Sequence, residues 1–435
     1  MTFSTLHLRP IEKLTRPLIR FLHVEAASGI VLILATAIAI IAANSPLREL
    51  YQSFWNSTLT LGIGQWSLSY PLWYWVNDGL MTVFFFLVGL EVKRELVSGE
   101  LRDVRRIISP AVAAVGGALI PAAIYVILLG DQPGQNGWAI PMATDIAFVV
   151  GILAILGKRV PQGLKVFLLT LAIVDDIIAV LVIAVFYSSQ LILMWLASAF
   201  LGIVVILIMN RLGVRTVVGY LLIGSVIWLC TLKSGIHPTI SGVILGLITP
   251  ATPLISMDKL REGLNRAVNV LSKFGISNES AKLRDVTEDV TFTSRESVAP
   301  LERFEADVHP WSAFVIMPVF ALANAGVPFS FNAMTSHIAT VVALALLIGK
   351  PLGIILSLFL VVKTGLGIIP GGSNWRAVIG AGFLAGIGFT MSLFVASLSL
   401  DAKLLVEAKS GILIGSAVSG VVGFLILKVS LKGKS

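Results

Sequence analysis

The chain has 435 residues, of which 56% are hydrophobic and only 13% are charged, whereas soluble domains carry about 25% charged residues. This composition excludes a soluble globular fold and indicates an all-α integral membrane protein surrounded by the lipid bilayer. The net charge of +8 does not indicate nucleic-acid binding, because the Lys and Arg residues lie in short connections between apolar segments.

Twelve apolar segments of the sequence are long enough to be transmembrane helices, since about 20 apolar residues cross the hydrocarbon layer. They cover residues 22–43, 72–92, 107–128, 138–157, 166–187, 191–209, 216–232, 236–256, 312–328, 338–360, 376–398 and 411–427. Lys and Arg concentrate on the side of the two termini, while the opposite side carries Arg48, Lys233, Lys403 and Lys409. The positive-inside rule therefore predicts that both termini are cytoplasmic.

The longest outer connection covers residues 44–71. Within it, residues 57–70 (STLTLGIGQWSLSY) alternate polar and apolar side chains around a turn that contains glycine, which predicts a β-hairpin. An isolated hairpin is only marginally stable in water. We therefore expect it either to pair with a second copy, giving a homodimer through residues 57–70, or to fold onto its own outer surface.

The fourth segment contains GWAIPMATDIAF, where Pro141 precedes the polar pair Thr144 and Asp145. Proline removes a backbone donor and clashes with the preceding helical turn. Irregular backbone at membrane depth is tolerated only where it is buried in protein or lines a cavity. The pattern predicts that this helix is interrupted beside Thr144 and Asp145.

The fifth segment carries Asp175 and Asp176 near its middle. A charge at this depth costs about 2.5–3.5 kcal/mol on an insertion scale. Successive helical residues project about 100° apart, so at least one of the two carboxylates must point into the protein or a water-lined interior. A structural salt bridge or an interhelical hydrogen bond is the simpler interpretation, but ionisable residues inside a membrane mark ion pathways more often.

A polar segment, residues 257–311, separates the eighth and ninth spans and is assigned to the cytoplasmic side. Apolar residues at helical spacing in its first part predict an amphipathic helix at the membrane surface. Residues 278–297 are polar and mixed in charge, and we expect a flexible insert there. Residues 300–311 are expected to lead into the ninth span as a helix with proline in its first turn.

The tenth segment contains LLIGKPLGI, in which Lys350 occupies a central position. A cation at this depth needs a carboxylate partner. We expect Asp175 to be that partner, which leaves Asp145 and Asp176 to face an aqueous cavity.

The eleventh segment contains GAGFLAGIGFTMS, with four glycines at membrane depth. The glycines could be close-packing surfaces only. Interrupted helices in corresponding positions of two halves, however, indicate the substrate site of a transporter built from inverted repeats. We therefore predict one transporter domain whose repeats cover about residues 107–187 and 338–427, with interrupted helices 4 and 11.

The predicted site combines two carboxylates with the Thr144 hydroxyl or freed backbone carbonyls, and such hard oxygen ligands suit a small cation. Protons compete for the same oxygens. If the site opens to one side at a time only when it is occupied, cation/proton exchange follows without a cofactor. The residues alone do not rank sodium above potassium or another cation.

Two other classes of protein are compatible with part of this pattern. An intramembrane aspartyl protease would also place two aspartates on different spans, but its usual Tyr-Asp and Gly-x-Gly-Asp contexts are missing from the sequence, and Lys350 would disturb the shared charge. A channel would need a ring of charges or a carbonyl filter motif, and neither occurs in the sequence. Both alternatives are weaker than the transporter interpretation.

Several motifs resemble the NhaA-type sodium/proton antiporters, over about residues 15–427. They are WVNDGLMTVFFFLVGLEVKREL (75–96), GWAIPMATDIAF (137–148), LAIVDDIIAV (171–180), LKSGIHPTISGVI (232–244), HPWSAFVIMPVFALANAGV (309–327), LIGKPLGI (347–354) and GIGFTMSLFVASL (386–398). The resemblance implies an electrogenic sodium or lithium/proton antiporter of the bacterial inner membrane that is activated at alkaline pH.

The resemblance also implies roles for individual residues. It makes Asp175 and Asp176 the carboxylates that bind sodium, and Thr144 with Asp145 the polar pair at the crossing of the interrupted helices. It makes Lys350 the partner of Asp175. A second group, proposed to sense pH, consists of Glu91, Glu95, Glu305 and His237. The alternative for this group is purely local, with Glu91 and Glu95 balancing neighbouring cations at a helix end and His237 hydrogen-bonded at an interface.

Two features depart from the family pattern. The 257–311 segment is longer than in the shorter members, and Ala306 stands where some members have a histidine. Both lie on the predicted cytoplasmic side, so we expect them to affect the pH set-point more than the transport cycle.

Overall fold

The computed structural model describes residues 25–63, 66–99, 104–188, 190–273 and 280–431. Eight helices within these ranges are long and apolar enough to cross a membrane, or up to ten if each of two bent helix pairs forms one span. The prediction of a helical membrane protein with a small β-hairpin is confirmed.

Most of the described chain is helical because long apolar runs can satisfy their backbone groups in a bilayer only within helices. The longer helices are α1 (Glu25–Ala43), α2 (Arg48–Asn56), α3 (Met81–Val97), α4 (Val104–Leu129), α5 (Ile146–Leu156), α6 (Gln162–Phe186), α7 (Leu193–Arg211), α8 (Val217–Ser234), α9 (Thr239–Ile248), α10 (Met257–Lys273), α11 (Ser280–Glu296), α12 (Pro300–Trp311), α13 (Met317–Asn324), α14 (His337–Leu344), α15 (Lys350–Lys363), α16 (Trp375–Ala385), α17 (Phe389–Ser399) and α18 (Ala402–Ser430). Three π-helical turns interrupt or extend them, at Trp75–Leu80, Ser312–Ile316 and Ala345–Gly349.

The chain forms two compact units. The first holds the described residues up to Phe84, those between Glu100 and Ser189, and those from Pro310 onward. The second holds Phe85–Gly99 and the described residues between Gln190 and His309. The predicted ion-binding residues belong to the first unit, and the predicted pH-sensing residues belong to the second.

A close crossing of α4 and α15 organises the first unit. A Cβ atom on Gly353 would lie 2.2 Å from the carbonyl oxygen of Gly116, so only glycine allows this backbone approach. Gly117, the next residue of α4, faces the stems of Ile354 and Lys350. The crossing therefore holds the start of α15, and Lys350 with it, against α4.

Both predicted helix interruptions are present in the first unit. The 3₁₀ helix Gln135–Met142 is followed by extended residues 143–145 and then by α5. Pro141, within the 3₁₀ helix, lacks the N–H that an α-helical ladder requires. Helices α16 and α17 are separated at residues 386–388 and meet at a 41° bend.

The predicted hairpin consists of β1 (Thr58–Ile63) and β2 (Trp66–Pro71). The strands are antiparallel, with Leu61 opposite Leu68. Leu72 N–H donates to the Ser57 carbonyl at 3.0 Å, so the two ends of the hairpin lie side by side.

The second unit has an apolar core to which α3, α7, α8, α9 and α12 contribute. Its buried members are Leu90, Ala199, Ile206, Tyr220, Ile227, Cys230, Leu245, Leu301 and Phe304. Helix α9 ends at Ile248, whereas the sequence predicted a span up to residue 256. Pro250 and Pro253 follow at once, and neither can continue a helical ladder.

The polar insert is folded as a helical pair. Helix α10 is present where the amphipathic helix was predicted, but the expectation of a flexible segment at residues 278–297 is wrong for its described part, which forms α11. A Cβ atom on Gly263 of α10 would lie 3.3 Å from Thr293 of α11. This close packing supplies tertiary contacts that composition alone did not reveal.

Candidate functional site

The two interrupted segments cross and bond to each other through backbone and side-chain groups. Asp145 N–H donates to the Ile387 carbonyl at 2.6 Å. In return, the Thr390 N–H and hydroxyl donate to Asp145 Oδ2 at 3.0 and 2.5 Å. Asp145 Oδ1 accepts from Phe148 N–H at 3.3 Å and so caps α5. One carboxylate thus serves the N-terminal ends of α5 and α17, where helix dipoles favour negative charge.

This arrangement corrects one expectation and adds one residue. Asp145 is only 1% exposed, so it does not face an aqueous cavity in this structure. Thr390, fully buried, is the polar partner that sequence reasoning did not single out. Its position directly after the glycine interruption, in the quoted motif GFTMS, was the available signal.

Glycine is required where the second interruption approaches its neighbours. A Cβ atom on Gly388 would lie 3.0 Å from the Ala143 carbonyl oxygen, and one on Gly386 would lie 2.7 Å from the Leu346 carbonyl oxygen. The two glycines are therefore more than a generic packing surface: Gly388 lets the two interrupted segments approach each other, and Gly386 lets the second one approach the π turn before Lys350.

A buried ion pair lies beside this crossing. Lys350 Nζ donates to Asp175 Oδ2 and to the carbonyl oxygen of Met142, which ends the 3₁₀ helix. The Lys350 and Asp175 side chains are 0% and 1% exposed. The predicted pairing of these two residues is present in the structure. Breaking such a pair by removing one partner is strongly unfavourable, since it leaves an uncompensated buried charge.

Thr144 links the ion pair to the second interrupted helix. Its hydroxyl oxygen lies 2.6 Å from Asp175 Oδ2 and 2.9 Å from the Ala385 carbonyl oxygen, the last of α16. A hydroxyl carries one proton, so Thr144 donates to only one of these oxygens at a time. The Thr144 hydroxyl therefore lies within hydrogen-bonding distance of both the Asp175 carboxylate and the C-terminal end of α16.

The two oxygens of Asp175 are in unlike environments. Oδ2 accepts from Lys350 and Thr144, whereas Oδ1 is buried and has no hydrogen-bond partner within the part of the chain that the structure describes. A buried carboxylate oxygen without a donor is costly. Either a proton or a small cation at Oδ1 would relieve this cost.

Asp176, the next residue of α6, is also buried, with 2% of its surface exposed. The expectation that it faces an aqueous cavity is therefore not met in this structure. Two adjacent carboxylates, a hydroxyl and the carbonyl oxygens of interrupted helices are thus buried in one region of the first unit. All of these ligands are hard oxygens, which suit small inorganic cations.

The predicted pH-sensing residues lie in the second unit. Arg94 of α3 donates to Glu305 of α12 and pairs with Glu95 at 3.4 Å. Glu91 interacts electrostatically with the same three residues. His237 lies between α8 and α9, where its Nδ1 is 2.7 Å from the Thr239 hydroxyl. The structure thus groups Glu91, Glu95 and Glu305 around Arg94, and places His237 in a separate connection.

Interrupted helices that cross at buried carboxylates inside a bundle of apolar spans are typical of secondary transporters. A family model described as Na+/H+ antiporter 1 matches residues 19–427. The chain belongs to this Na+/H+ antiporter family.

Relatives cover nearly the whole chain. A Na(+)/H(+) antiporter NhaA of Rhodopirellula baltica is 47% identical over 97% of this chain and 96% of its own length. A Na(+)/H(+) antiporter NhaA 2 of Sorangium cellulosum is 45% identical over 97% and 92%. The solved sodium proton antiporter MjNhaP1 of Methanocaldococcus jannaschii is 14% identical, with a TM-score of 0.45 over 98% of this chain and 95% of that one.

Proposed function

We propose that this protein is an electrogenic antiporter that expels sodium or lithium in exchange for protons and serves sodium and pH homeostasis. The observation that carries the proposal is the buried Asp175 Oδ1, which has no hydrogen-bond partner among the described residues while Oδ2 is held by Lys350 and Thr144. Membership in the Na+/H+ antiporter family supports sodium as the cation.

The exchange follows from competition at the carboxylates. Asp175 and Asp176 would bind sodium, with the Thr144 hydroxyl turned toward the Ala385 carbonyl so that its oxygen also faces the ion. A cation bound at Asp175 weakens the attraction between that carboxylate and Lys350. The Met142 carbonyl still accepts from the ammonium group and keeps it in place. When sodium leaves, a proton or Lys350 restores the charge balance of the buried carboxylates.

The wider architecture belongs to the same proposal. The chain forms one transporter domain of twelve spans with cytoplasmic termini in a bacterial inner membrane, and its inverted repeats cover residues 107–187 and 338–427. It forms a homodimer through the 57–70 hairpin, needs no cofactor, catalyses no covalent reaction and binds no nucleic acid. Support comes from the distribution of Lys and Arg, the two interrupted helices and the exposed hairpin.

Alkaline activation is proposed to arise from Glu91, Glu95 and Glu305 around Arg94, with His237 contributing. A carboxylate that contacts Arg94 is favoured in its ionised form. Changes in the protonation of this cluster would alter how α3 and α12 are held together, and the insert beside α12 is expected to adjust the set-point.

The deciding experiment measures sodium-induced dissipation of a pH gradient in inverted vesicles from cells that lack other antiporters. The wild type should respond to sodium and lithium, more strongly as the pH is raised from mildly acidic to mildly alkaline. Asp176→Asn should abolish the response, because the neutral amide cannot exchange a proton for a cation.

The matched control is Asp401→Asn, which changes an exposed aspartate before α18 and should leave the response intact. The same vesicles are tested with potassium. A wild type that responds only to potassium, or an Asp176→Asn variant with full activity, would refute the proposed substrate or site.

A further inference from the structure

A second ion pair of the second unit lies where the insert returns to the transmembrane part. Arg303 of α12 donates at 2.9 Å to Glu296 Oε1, at 2.9 Å to the Arg295 carbonyl and at 3.1 Å to the Arg215 carbonyl. The two charged side chains are only 13% and 12% exposed. One guanidinium therefore connects the end of α11, the connection before α8 and the first turns of α12.

The surrounding backbone strengthens this junction. The Glu296 carbonyl accepts the N–H groups of Leu254 and Ile255 at 3.0 Å each, so the end of α11 lies across the segment that precedes α10. Arg215 reaches the same segment by donating to the Thr252 carbonyl at 2.9 Å. Both ends of the folded insert are thus fastened at one place, with Arg303 at its centre.

Arg303 and Glu305 project to opposite sides of α12, because residues two apart on a helix lie about 200° from each other. On one side Arg303 holds the insert, and on the other Glu305 meets Arg94. The charged groups that act on Glu305 are Arg94 and Glu95 of α3 and His309 of α12, with Glu91 of α3 also within electrostatic range. The cytoplasmic end of α12 is therefore held from two sides.

We propose that Arg303 and Glu296 are positioning residues that press α12 toward α3 and thereby keep Glu305 in contact with Arg94, so that the insert sets the pH response. This inference rests on the proposed antiport function and its alkaline activation. The Arg303–Glu296 ion pair, which we call the brace, then couples the insert to the pH-sensing cluster.

Helix α11 also contains an exposed ion pair, which serves as a control for the largely buried pair of Arg303 and Glu296. This ion pair within the helix, Arg284 with Glu288 at 2.8 Å, has side chains that are 78% and 65% exposed. Exposed pairs of this kind contribute little to stability. The two glutamates therefore form a matched pair, one in the brace and one outside it.

The experiment compares the pH profiles of sodium-induced gradient dissipation for Glu296→Gln, Arg303→Met, the double variant and Glu288→Gln. Each brace variant should move the pH of half-maximal activity upward by about half a unit. The reason is that burial raises the pKa of Glu305 and Arg94 offsets part of this rise, so a looser Arg94 contact leaves that pKa higher. The rate at the alkaline end should stay at the wild-type level.

The double variant should shift no further than the larger single shift, because both substitutions break the same brace. Glu288→Gln should keep the wild-type profile. Unchanged or downward profiles in the brace variants, or an equal shift in Glu288→Gln, would overturn the proposal. Arg303→Lys provides a second variant if Arg303→Met does not accumulate, and it should also shift the profile, since one ammonium cannot reproduce the fixed fork of the guanidinium.

A readout that does not depend on transport separates this inference from the proposed function. Amide hydrogen exchange of the start of α12 should be faster in Glu296→Gln than in the wild type, and unchanged in Glu288→Gln. If the wild type fails to transport sodium at any pH, the proposed function fails. If transport is normal but neither the exchange nor the profile changes, the brace alone is refuted.

Discussion

At the scale of single residues, Asp145 and Asp175 show how one side-chain type is given two tasks. Asp145 receives donors on both oxygens and caps two helix ends, so its charge is fully used in holding the crossing. Asp175 has donors on Oδ2 and none from the described chain on Oδ1. The first carboxylate therefore stabilises the crossing, and the second keeps one oxygen for the proposed exchange.

Thr390→Val tests the structural task of Asp145. The substitution keeps the shape of the side chain but removes the hydroxyl that donates to Oδ2, which costs about 1–3 kcal/mol for a buried charged acceptor. We expect a lower melting temperature of the purified protein, whereas Thr390→Ser should stay close to the wild type.

The control for this prediction is Ser397→Ala on the same helix, because the Ser397 hydroxyl donates to the Phe394 carbonyl of its own helix at 2.7 Å. It should melt near the wild type. Equal melting temperatures for Thr390→Val and the wild type would show that the hydroxyl does not stabilise the crossing.

At the scale of helices, the two interruptions are held together by a backbone bond between residues 145 and 387. Side chains larger than hydrogen have no room at the closest points. The crossing therefore depends on glycine at position 388, whereas Gly382 of α16 is not at a close approach.

Gly388→Ala should crowd the crossing, because its Cβ would lie only 3.0 Å from the backbone carbonyl oxygen of Ala143. Overpacking of this kind costs about 1–3 kcal/mol, so we expect the sodium response at equal expression to fall by about tenfold or more. Gly382→Ala is the control, since its Cβ would meet nothing closer than 3.5 Å. Equal activity of both variants would contradict this account.

Much of the fold could be predicted because a bilayer allows few solutions for an apolar chain. The interruptions followed from Pro141 and the glycines, and the Lys350–Asp175 pair followed from the cost of burying either charge alone. The packing of α11 could not be predicted, because its sequence is polar and its helix is stabilised by contacts with α10 that composition does not reveal. Nor could the Thr390 donors to Asp145 Oδ2, because they come from a segment more than 240 positions away.

At the scale of the whole molecule, the hairpin is a two-stranded element with an exposed surface. Its strands pair with each other, and Leu59 and Leu61 remain 40% and 51% exposed. Open strand edges beside exposed apolar side chains favour pairing with a second chain. The hairpin is therefore the feature on which the proposed homodimer depends.

Excision of residues 58–71 tests this dependence. Residues 57 and 72 are already joined by a 3.0 Å backbone hydrogen bond, so a short glycine linker can close the chain without moving the helices. We expect the excised protein to be monomeric in detergent by mass measurement, with sodium transport retained. Thr60→Val, which removes only the exposed bond to Ser69, should remain dimeric. A dimeric excised protein would refute the hairpin interface.

The π-helical turn Ala345–Gly349, which ends directly before Lys350, sets the direction in which the lysine leaves its helix. A π turn holds one residue more than an α turn, and one residue corresponds to about 100° of rotation. If the same residues were wound as a regular α turn, the hydropathy profile and the lysine would be unchanged, yet the lysine would be rotated away from Asp175. The backbone geometry of this turn, as well as its sequence, therefore determines whether Lys350 meets Asp175.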